Sequence, residues 1–251
     1  MTELPTERIA KRLSRAGECS RREAERWVAE GRITVDGKKI SKPGTLVTAI
    51  SDIRVNGKPI AAIQNTRLWR FHKPSGLLCT NTDPKGRNTI FDNLPNHLPR
   101  VMSVGRLDFD SEGLLLLTND GSLARQLELP QTGWIRRYRA RMFGVPGDRD
   151  LLALKRGLVV DGVRYGAIDA VVDNSKGANS WLTVTLREGK NREIRKVFDH
   201  LGHPVNRLIR TAFGPFQLGK LVRGGIDEVP ERVLRDQIGK QSSNEDHCGE
   251  A

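Results

Sequence analysis

The chain has 251 residues, 29 % charged and 37 % hydrophobic, which is typical of a globular protein of one or two domains with a packed core. Lys and Arg outnumber Asp and Glu by 42 to 30, and the resulting charge of +12 indicates a polyanionic partner. Nucleic acid is preferred over a membrane, since no basic helix carries Trp or Phe on an opposite face and no apolar run reaches the roughly 18–20 residues of a membrane span.

The cysteines and the first residues predict the compartment. The three cysteines are far apart in the sequence, at Cys19, Cys79 and Cys248. This spacing argues against a disulfide scaffold and against a CxxC metal site. Because the first twelve residues also lack an apolar signal region, we expect a cytoplasmic protein.

The first 60 residues have the pattern of a compact unit with the order helix, helix, small sheet. The apolar positions of the first helix recur at helical spacing, at Ile9, Leu13 and Ala16. A second helix is predicted after Ser20, which forms a capping-box pattern with the glutamate three residues later. The dipeptides Asp36-Gly37 and Asn56-Gly57 predict two tight hairpin turns.

Basic residues occupy both predicted helices. Those of the first helix share one face, at Arg8, Lys11, Arg12 and Arg15. Such a face is as compatible with simple solvation as with a ligand. Arg21 and Arg22 are more informative, because the helix dipole disfavours cations in a first turn by about 0.3–1 kcal/mol each. A phosphate bound at the start of the second helix would compensate for this cost.

Three segments of this unit resemble the small αL RNA-binding domain first described in ribosomal protein S-four. They are KRLSRAG at 11–17, SRRE at 20–23 and GRITVDG at 31–37, and the resemblance covers most of residues 6–55. Domains of this family dock on structured RNA through its backbone. The resemblance therefore implies RNA contacts from Lys11, Arg15, Ser20, Arg21 and Arg22.

After a predicted linker at 61–67 the pattern becomes rich in strands. Strands are predicted over residues 68–72, 114–118, 138–145, 167–173 and 181–186, and helices over 122–129, 149–155 and 191–201. Strands and helices do not alternate regularly, so we expect an α+β fold with a mixed, mainly antiparallel sheet flanked by helices. The polar, acidic residues 241–251 are predicted to be disordered.

An acidic cluster, Asp108, Asp110 and Glu112, stands out in this basic chain just before a strand of four leucines. Carboxylates that cap turns are one explanation. A calcium loop is disfavoured, because its twelfth position would be Asn119 instead of a bidentate glutamate. The third explanation is a catalytic carboxylate beside Arg106 that faces RNA.

The same segment resembles the catalytic motif of bacterial ribosomal RNA pseudouridine synthases of the RsuA/RluB type. The resemblance rests on GRLD at 105–108 followed by SEGLLLLTN at 111–119. Other motifs of the family occur in order: KPSG at 73–76, DPKGRNTIFD at 83–92, RYR at 137–139, EGKNREIRKVF at 188–198 and LIR at 208–210. The match covers roughly residues 6–225 and is greatest for the RluB subgroup, although the basic C-terminal extension of some members is absent.

The resemblance implies isomerisation of uridine to pseudouridine in ribosomal RNA, preferably of the large subunit, without a cofactor or a metal ion. Asp108 corresponds to the essential aspartate, which must be ionised to act as nucleophile or base. A nearby guanidinium would favour the ionised form. Arg195 matches the family's arginine and Arg192 is the competing candidate. Tyr138 matches the tyrosine that stacks on the target base.

A stacked uridine does not expose its C1′ and C6 atoms to a carboxylate, so the base must flip out at a cost of roughly a few kcal/mol. Phosphate contacts would offset this cost. The candidate contacts in this part of the chain are Lys73, Lys85, Arg87, Arg106, Lys190 and Arg192.

We therefore expect an S-four-like RNA-binding domain at 1–62, a catalytic domain at 63–240 and a disordered tail at 241–251. The expected protein is a monomer whose partner is ribosomal RNA. Two alternatives stay open: an rRNA-binding or assembly factor without catalysis, and an enzyme that acts on small-subunit rRNA or tRNA.

Overall fold

The computed structural model describes residues 5–129 and 133–237, which form two compact units. The first unit ends at Thr66 and also contains Asn119–Gly121, and the second begins at Arg67. The predicted acidic tail and Cys248 lie outside the described residues. Among the helices of the described ranges, none is long and apolar enough to cross a membrane.

The first unit combines short helices with small sheets. Its elements are β1 (Glu7–Arg8), α1 (Ile9–Arg15), α2 (Arg21–Ala29), β2 (Ile33–Val35), β3 (Lys38–Lys39), β4 (Leu46–Val47), β5 (Ile53–Val55) and β6 (Lys58–Pro59). Strands β3, β2, β5 and β6 form one sheet in that order, and β1 pairs with β4. The core between the helices and the sheet includes Leu13, Ala24, Val28 and Ile33.

Local sequence signals specify this unit well. Asp36 and Gly37 have φ values of +50° and +77°, and Asn56 and Gly57 have +51° and +79°, so both predicted tight turns are confirmed. Ser20 caps α2 as predicted, because its side chain accepts a hydrogen bond from the backbone N–H of the residue three positions later. One detail differs: α1 begins one residue after Arg8, whose backbone is extended.

The second unit is larger and contains the principal sheet. Its elements are β7 (Leu68–Lys73), β8 (Met102–Val104), β9 (Glu112–Thr118), α3 (Gly121–Glu128), β10 (Arg136–Phe143), α4 (Asp148–Arg156), β11 (Leu158–Val160), β12 (Val163–Tyr165), β13 (Ile168–Lys176), β14 (Asn179–Leu186), α5 (Glu193–His200), β15 (Val205–Phe213), β16 (Phe216–Gln217) and β17 (Ile226–Glu228). A 3-10 helix covers Phe91–Asn93, and residues 231–237 are helical.

Nine of the described strands form one mixed sheet. The order is β13-β14-β10-β15-β9-β7-β17, with β8 added on β9 and β16 on β15. The pairing of β15 with β9 is parallel, and the other pairings described in this sheet are antiparallel. The expected α+β architecture with a mainly antiparallel sheet is confirmed.

The four-leucine run of β9 is buried on both faces of the sheet. Leu115 and Leu117 belong to one apolar cluster, and Leu114 and Leu116 belong to another. Successive side chains of a strand point to opposite faces, so a strand covered on both sides needs an unbroken apolar run. This explains why the run predicts a buried strand at this position.

The eight helices and strands predicted after residue 67 all exist, with ends shifted by up to three residues. The sequence pattern missed β15, which lies between β10 and β9 in the middle of the sheet. Its register against β10 shifts twice, between Arg137 and Tyr138 and between Arg141 and Met142. Such irregularities break the two-residue alternation on which a strand prediction depends.

Candidate active site

Asp108 lies on the loop between β8 and β9. The backbone N–H of Gly105, at the start of the loop, donates a hydrogen bond to Oε1 of Glu128 at 2.8 Å. At its other end, the N–H of Ser111 donates to the carbonyl oxygen of Asp108 at 3.1 Å. The half-buried Asp108 side chain is therefore presented by a turn that is fixed at both ends.

Lys73, the last residue of β7, attaches this loop to the sheet. Its Nζ donates to four backbone carbonyl oxygens, those of Pro74 (3.1 Å), Asp108 (3.1 Å), Phe109 (3.4 Å) and Ser111 (2.9 Å). Burial lowers the pKa of Lys73. The prediction that Lys73 contacts phosphate is wrong, because the residue is 0 % exposed and its ammonium group is bound to backbone.

Gly113 brings β9 and β15 close together next to the loop. Its φ is +104°, and a Cβ atom on it would lie 2.3 Å from the carbonyl oxygen of Arg210. The two residues are partners in the parallel pairing of β9 with β15. Only glycine allows this approach of the two backbones.

Glu112, the third carboxylate of the acidic cluster, has a structural environment. It accepts hydrogen bonds from Arg207, at 2.8 Å and 3.2 Å, and from Arg223. The hydrogen bond from Arg207, only partly opposed by burial, lowers the pKa of Glu112. Glu112 is therefore an ion-paired structural group and not one of the turn-capping carboxylates that the sequence suggested.

A cavity of about 580 Å³ opens beside Asp108 in the second unit. Its charged and aromatic lining residues are Arg106, Asp108, Glu128, Arg136, Tyr138, Lys190, Arg192, Glu193, Arg210 and Phe213. The predicted carboxylate and the predicted tyrosine therefore share one cavity, together with three of the predicted phosphate contacts, Arg106, Lys190 and Arg192.

The cation next to Asp108 is Arg192. Its Nη1 lies 3.8 Å from Oδ2 of Asp108 and 3.1 Å from Oδ1 of Asp110. Arg195 instead donates from Nη1 to the carbonyl oxygen of Val205 at 2.7 Å and from Nη2 to that of Asp110 at 3.2 Å. The predicted pairing of Asp108 with Arg195 is thus replaced by a pairing with the competing candidate, because the Arg195 guanidinium is held by backbone.

Asp110 connects the two arginines. Burial by itself would raise the pKa of Asp110, but the hydrogen bond from Arg192 and the charges of Arg195 and Arg192 outweigh it and lower that pKa. Burial lowers the pKa of Arg195, and the Asp110 charge opposes that shift. Asp110 therefore stays ionised at neutral pH and pairs with both guanidinium groups, of which that of Arg192 lines the cavity.

Arg192 has an unusual backbone conformation. Its φ of +51° and ψ of +31° lie in the left-handed region, directly before α5 begins. A residue with a side chain pays roughly 1–2 kcal/mol for this conformation. This conformation also explains why α5 starts at Glu193, two residues later than predicted. Strain of this kind is common at functional sites, and here it occurs at the residue that reaches Asp108.

Tyr138 is buried in β10, and its side chain lines the cavity. Its neighbours in the RYR motif, Arg137 and Arg139, are exposed and do not line this cavity. Arg136, two positions away and thus on the same side of the strand, does line it. The two-residue spacing from Tyr138 is the signal that could have identified Arg136.

Lys85 and Arg87 do not line the cavity. Both are exposed, and Arg87 donates to Asp83 from Nε at 3.0 Å and from Nη2 at 2.9 Å. These hydrogen bonds lower the pKa of Asp83 to about 2. The role of Lys85 and Arg87 as RNA contacts stays a prediction.

The predicted RNA-binding residues of the first unit are surface groups in different environments. Lys11 lies 3.6 Å from Glu7, and Arg15 lies 3.4 Å from Asp120. Arg21 and Arg22 are exposed in the first turn of α2, as predicted. The two arginines at the helix start therefore stay accessible to an anion.

Two buried charged residues that line the cavity lie within the family motifs but were not predicted as site residues. Glu193 is 3 % exposed and Arg210 is 3 % exposed. Nε of Arg210 donates to the carbonyl oxygen of Leu114 at 2.7 Å. Local periodicity gave no signal for either residue, because their burial results from contacts between distant segments.

Comparison with known proteins adds independent findings. A family model described as RNA pseudouridylate synthase matches residues 67–200, more than half of the chain, and a model described as S4 domain matches residues 7–53. A solved structure described as a pseudouridylate synthase has a similar fold, with a TM-score of 0.65 over 95 % of this chain and 100 % of that chain, at 20 % identity.

Curated relatives are similar over nearly the whole length. An uncharacterized RNA pseudouridine synthase of Rickettsia prowazekii is 43 % identical over 234 residues, 92 % of this chain and 97 % of the relative. Ribosomal large subunit pseudouridine synthase B of Shigella flexneri is 42 % identical over 244 residues, 93 % of this chain and 84 % of the relative.

Proposed function

The chain belongs to the RNA pseudouridylate synthase family, and from this premise we propose that it converts a uridine of large-subunit ribosomal RNA to pseudouridine. The observation that carries the proposal is that Asp108 and Tyr138 line one cavity whose other charged groups are mostly cationic. A polyanionic substrate is attracted to such a cavity, and the carboxylate inside it is available for chemistry.

The reaction is an isomerisation that needs no oxidant and no second substrate. The N1–C1′ bond breaks, the uracil turns, and a C5–C1′ bond forms. The C5 proton is lost and N1 gains a proton, so atoms and electrons balance. Asp108 supplies the carboxylate, which acts by attack at C6, by attack at C1′ or by removal of a ribose proton.

The surrounding residues support this carboxylate. Arg192 places Nη1 3.8 Å from its Oδ2, and Arg195 lies on the other side of Asp110, with Nη2 3.4 Å from Oδ2 of that residue. Tyr138 presents an aromatic side chain on which the flipped uracil stacks. Arg106 and Lys190 bind phosphates next to the flipped nucleotide and offset the roughly few kcal/mol cost of unstacking.

RNA docking uses both parts of the chain. We assign residues 1–62 to RNA binding through Lys11, Arg15, Ser20, Arg21 and Arg22, and residues 63–240 to catalysis. We expect a cytoplasmic monomer. The family match and the relatives do not favour the two alternatives, a non-catalytic rRNA-binding or assembly factor and a synthase for small-subunit rRNA or tRNA.

The test uses the variant Asp108→Asn, which keeps the shape of the side chain and removes its charge. Turnover is measured as tritium release from in-vitro-transcribed large-subunit rRNA labelled at C5 of uridine, and RNA binding by fluorescence anisotropy. We expect a loss of turnover of about 10³-fold or more with unchanged RNA affinity.

The matched control is Asp199→Asn, an exposed aspartate of α5 that does not line the cavity. It should keep full turnover. Normal turnover by Asp108→Asn would overturn the catalytic assignment. Binding without any tritium release by the unaltered protein would favour the assembly factor, and release only from small-subunit rRNA or tRNA would correct the substrate.

A further inference from the structure

Two glutamates lie close together at the ends of the segment 188–193, of which residues 189–193 line the cavity. Glu188 follows β14, and Glu193 is the first residue of α5. Between them lie Lys190 and Arg192, which face the cavity. The mechanism proposed above uses neither carboxyl group, and a pair of carboxyl groups at a buried position requires a physical explanation.

The surroundings of Glu193 leave one of its oxygens without a donor. Oε2 accepts a hydrogen bond from the backbone N–H of Lys190 at 2.8 Å. Oε1 is buried and has no hydrogen-bond partner in the described part of the chain. A buried carboxylate oxygen without a donor is costly, whereas a protonated oxygen becomes a donor itself.

Glu188 is the natural acceptor for that proton. Its Oε1 accepts from the backbone N–H of Gly166 at 2.5 Å, and its Oε2 pairs with the ammonium group of Lys190. These partners suit a negative charge on Glu188. Two adjacent carboxyl groups with these unequal partners are expected to hold one proton, located on Glu193.

We propose that Glu188 and Glu193 share one proton and act as positioning residues, which we call the carboxyl clasp, for the cavity segment that carries Arg192. The clasp joins three places in the chain: the end of β14, the connection between β12 and β13 at Gly166, and the start of α5. Loss of the shared proton would place two negative charges side by side and separate these places.

The charge balance around the clasp supports this inference. The charged groups that act on Glu193 are Glu188 and Lys190 from its own segment and Arg136 from β10. Burial and then the Glu188 carboxyl raise the pKa of Glu193 to about 8, and Lys190 only partly opposes the rise. For Glu188, burial would raise the pKa, but its hydrogen-bond partners outweigh burial and lower it.

The consequence is an enzyme that loses activity at alkaline pH. When Glu193 ionises, the segment opens and Arg192 moves away from Asp108. At pH 9 a group that titrates near pH 8 is about 90 % ionised, so we expect turnover about ten-fold lower than at pH 7. This expectation rests on the proposed function, since turnover is one of its measurements.

The variant Glu193→Gln tests the clasp because its amide is neutral at every pH and donates to Glu188 as the acid does. We expect turnover near that of the unaltered protein at pH 7 and, at pH 9, a change of less than about two-fold. The matched control is Glu231→Gln, an exposed glutamate that should keep the alkaline loss. An alkaline loss that persists in Glu193→Gln would overturn the proposal.

A second measurement needs no turnover. Isotope-edited infrared spectra of the full-length protein with labelled glutamate should show a protonated carboxyl band that disappears as the pH rises through about 8 and is absent in Glu193→Gln. Absence of this band at neutral pH in the unaltered protein would overturn the clasp. A chain that shows the band and binds rRNA but releases no tritium would instead contradict the proposed function.

The free energy of unfolding should fall at alkaline pH, as turnover does. The folded pKa of Glu193 is about 8 against an ordinary value of 4.5, so its contribution to stability is fully present below pH 4.5 and is lost as the pH rises through 8. The free energy of unfolding should therefore fall less over this range in Glu193→Gln than in the unaltered protein. An identical fall in both would contradict the assignment.

Discussion

The loop that carries Asp108 and the segment 188–193 line the same cavity, yet different chemistry fixes each of them. The loop is held by the buried ammonium group of Lys73, which donates to backbone carbonyl oxygens. The segment is held by Glu188 and Glu193, with one carboxyl oxygen that lacks a donor. The first arrangement depends on one ammonium group with acceptors that do not titrate, whereas the second depends on the proton that we propose two carboxyl groups share.

This difference indicates which part of the site responds to a change of pH. The Asp108 loop keeps its geometry across the range in which Lys73 stays charged. The segment with Arg192 changes at mildly alkaline pH, where the shared proton leaves. The position of the carboxylate therefore depends on the charge of Lys73, and the position of the guanidinium next to it depends on the proton that we propose Glu188 and Glu193 share.

The largest effect should come from Lys73→Met, which keeps the apolar stem of the side chain and removes the ammonium group. The carbonyl oxygens that Lys73 now satisfies would lose their donor in a buried place, at about 1–3 kcal/mol for each unsatisfied group. We expect a loss of stability of about 3 kcal/mol and almost no turnover at any pH, measured by urea unfolding and tritium release.

Its control is Lys155→Met, at an exposed position in the last turn of α4. That variant should keep both stability and turnover. Lys73→Met with an unchanged urea midpoint and normal turnover would show that the loop does not depend on this ammonium group, and the contrast with the carboxyl clasp would fail.

A smaller effect should separate the two arginines near Asp108. Arg192→Ala removes an exposed ion pair, so we expect stability to change by less than about 1 kcal/mol while turnover falls about ten-fold or more. Arg195→Ala leaves the carbonyl oxygen of Val205 without its donor and should cost about 1–3 kcal/mol of stability.

Turnover against pH then sharpens the comparison. If Arg192 is the cation that the clasp positions, Arg192→Ala already removes the group on which the clasp acts. Adding Glu193→Gln to Arg192→Ala should then cause no further loss of turnover. Full turnover by Arg192→Ala together with inactive, well-folded Arg195→Ala would return the role to the arginine that the sequence favoured.

The smallest expected effect is on RNA binding by the first unit. Its cations at the start of α2 are exposed, whereas several charged groups around the cavity are buried. The double variant Arg21→Ala and Arg22→Ala should weaken RNA binding several-fold and reduce the salt slope by about one to two, since each phosphate contact contributes roughly 0.7–0.9. Removing cations from a helix start does not destabilise the helix, so unfolding should not contribute.

Arg26→Ala is the matched control, because Arg26 lies on the same helix but pairs with Glu23 at 3.4 Å and Glu30 at 3.5 Å. It should leave the slope nearly unchanged. An unaltered salt slope in the Arg21 and Arg22 variant would rule out a phosphate site at the start of α2.

Features that depend on neighbouring residues could be predicted from the sequence. The hairpin turns at Asp36-Gly37 and Asn56-Gly57, the Ser20 cap and the buried leucine strand follow from preferences within a few residues. The ordered motifs likewise predicted the family, and they indicated Asp108 and Tyr138, which the fold brings to one cavity.

Other features depend on contacts between segments far apart in the chain, and only the tertiary structure decided them. The loop 108–111 folds onto the buried Lys73, and Arg192, whose backbone is left-handed, lies 3.8 Å from Asp108. Burial and then the Glu188 carboxyl group raise the pKa of Glu193. A sequence specifies which groups are charged, whereas the environment that sets their exposure, partners and protonation exists only after the chain has folded.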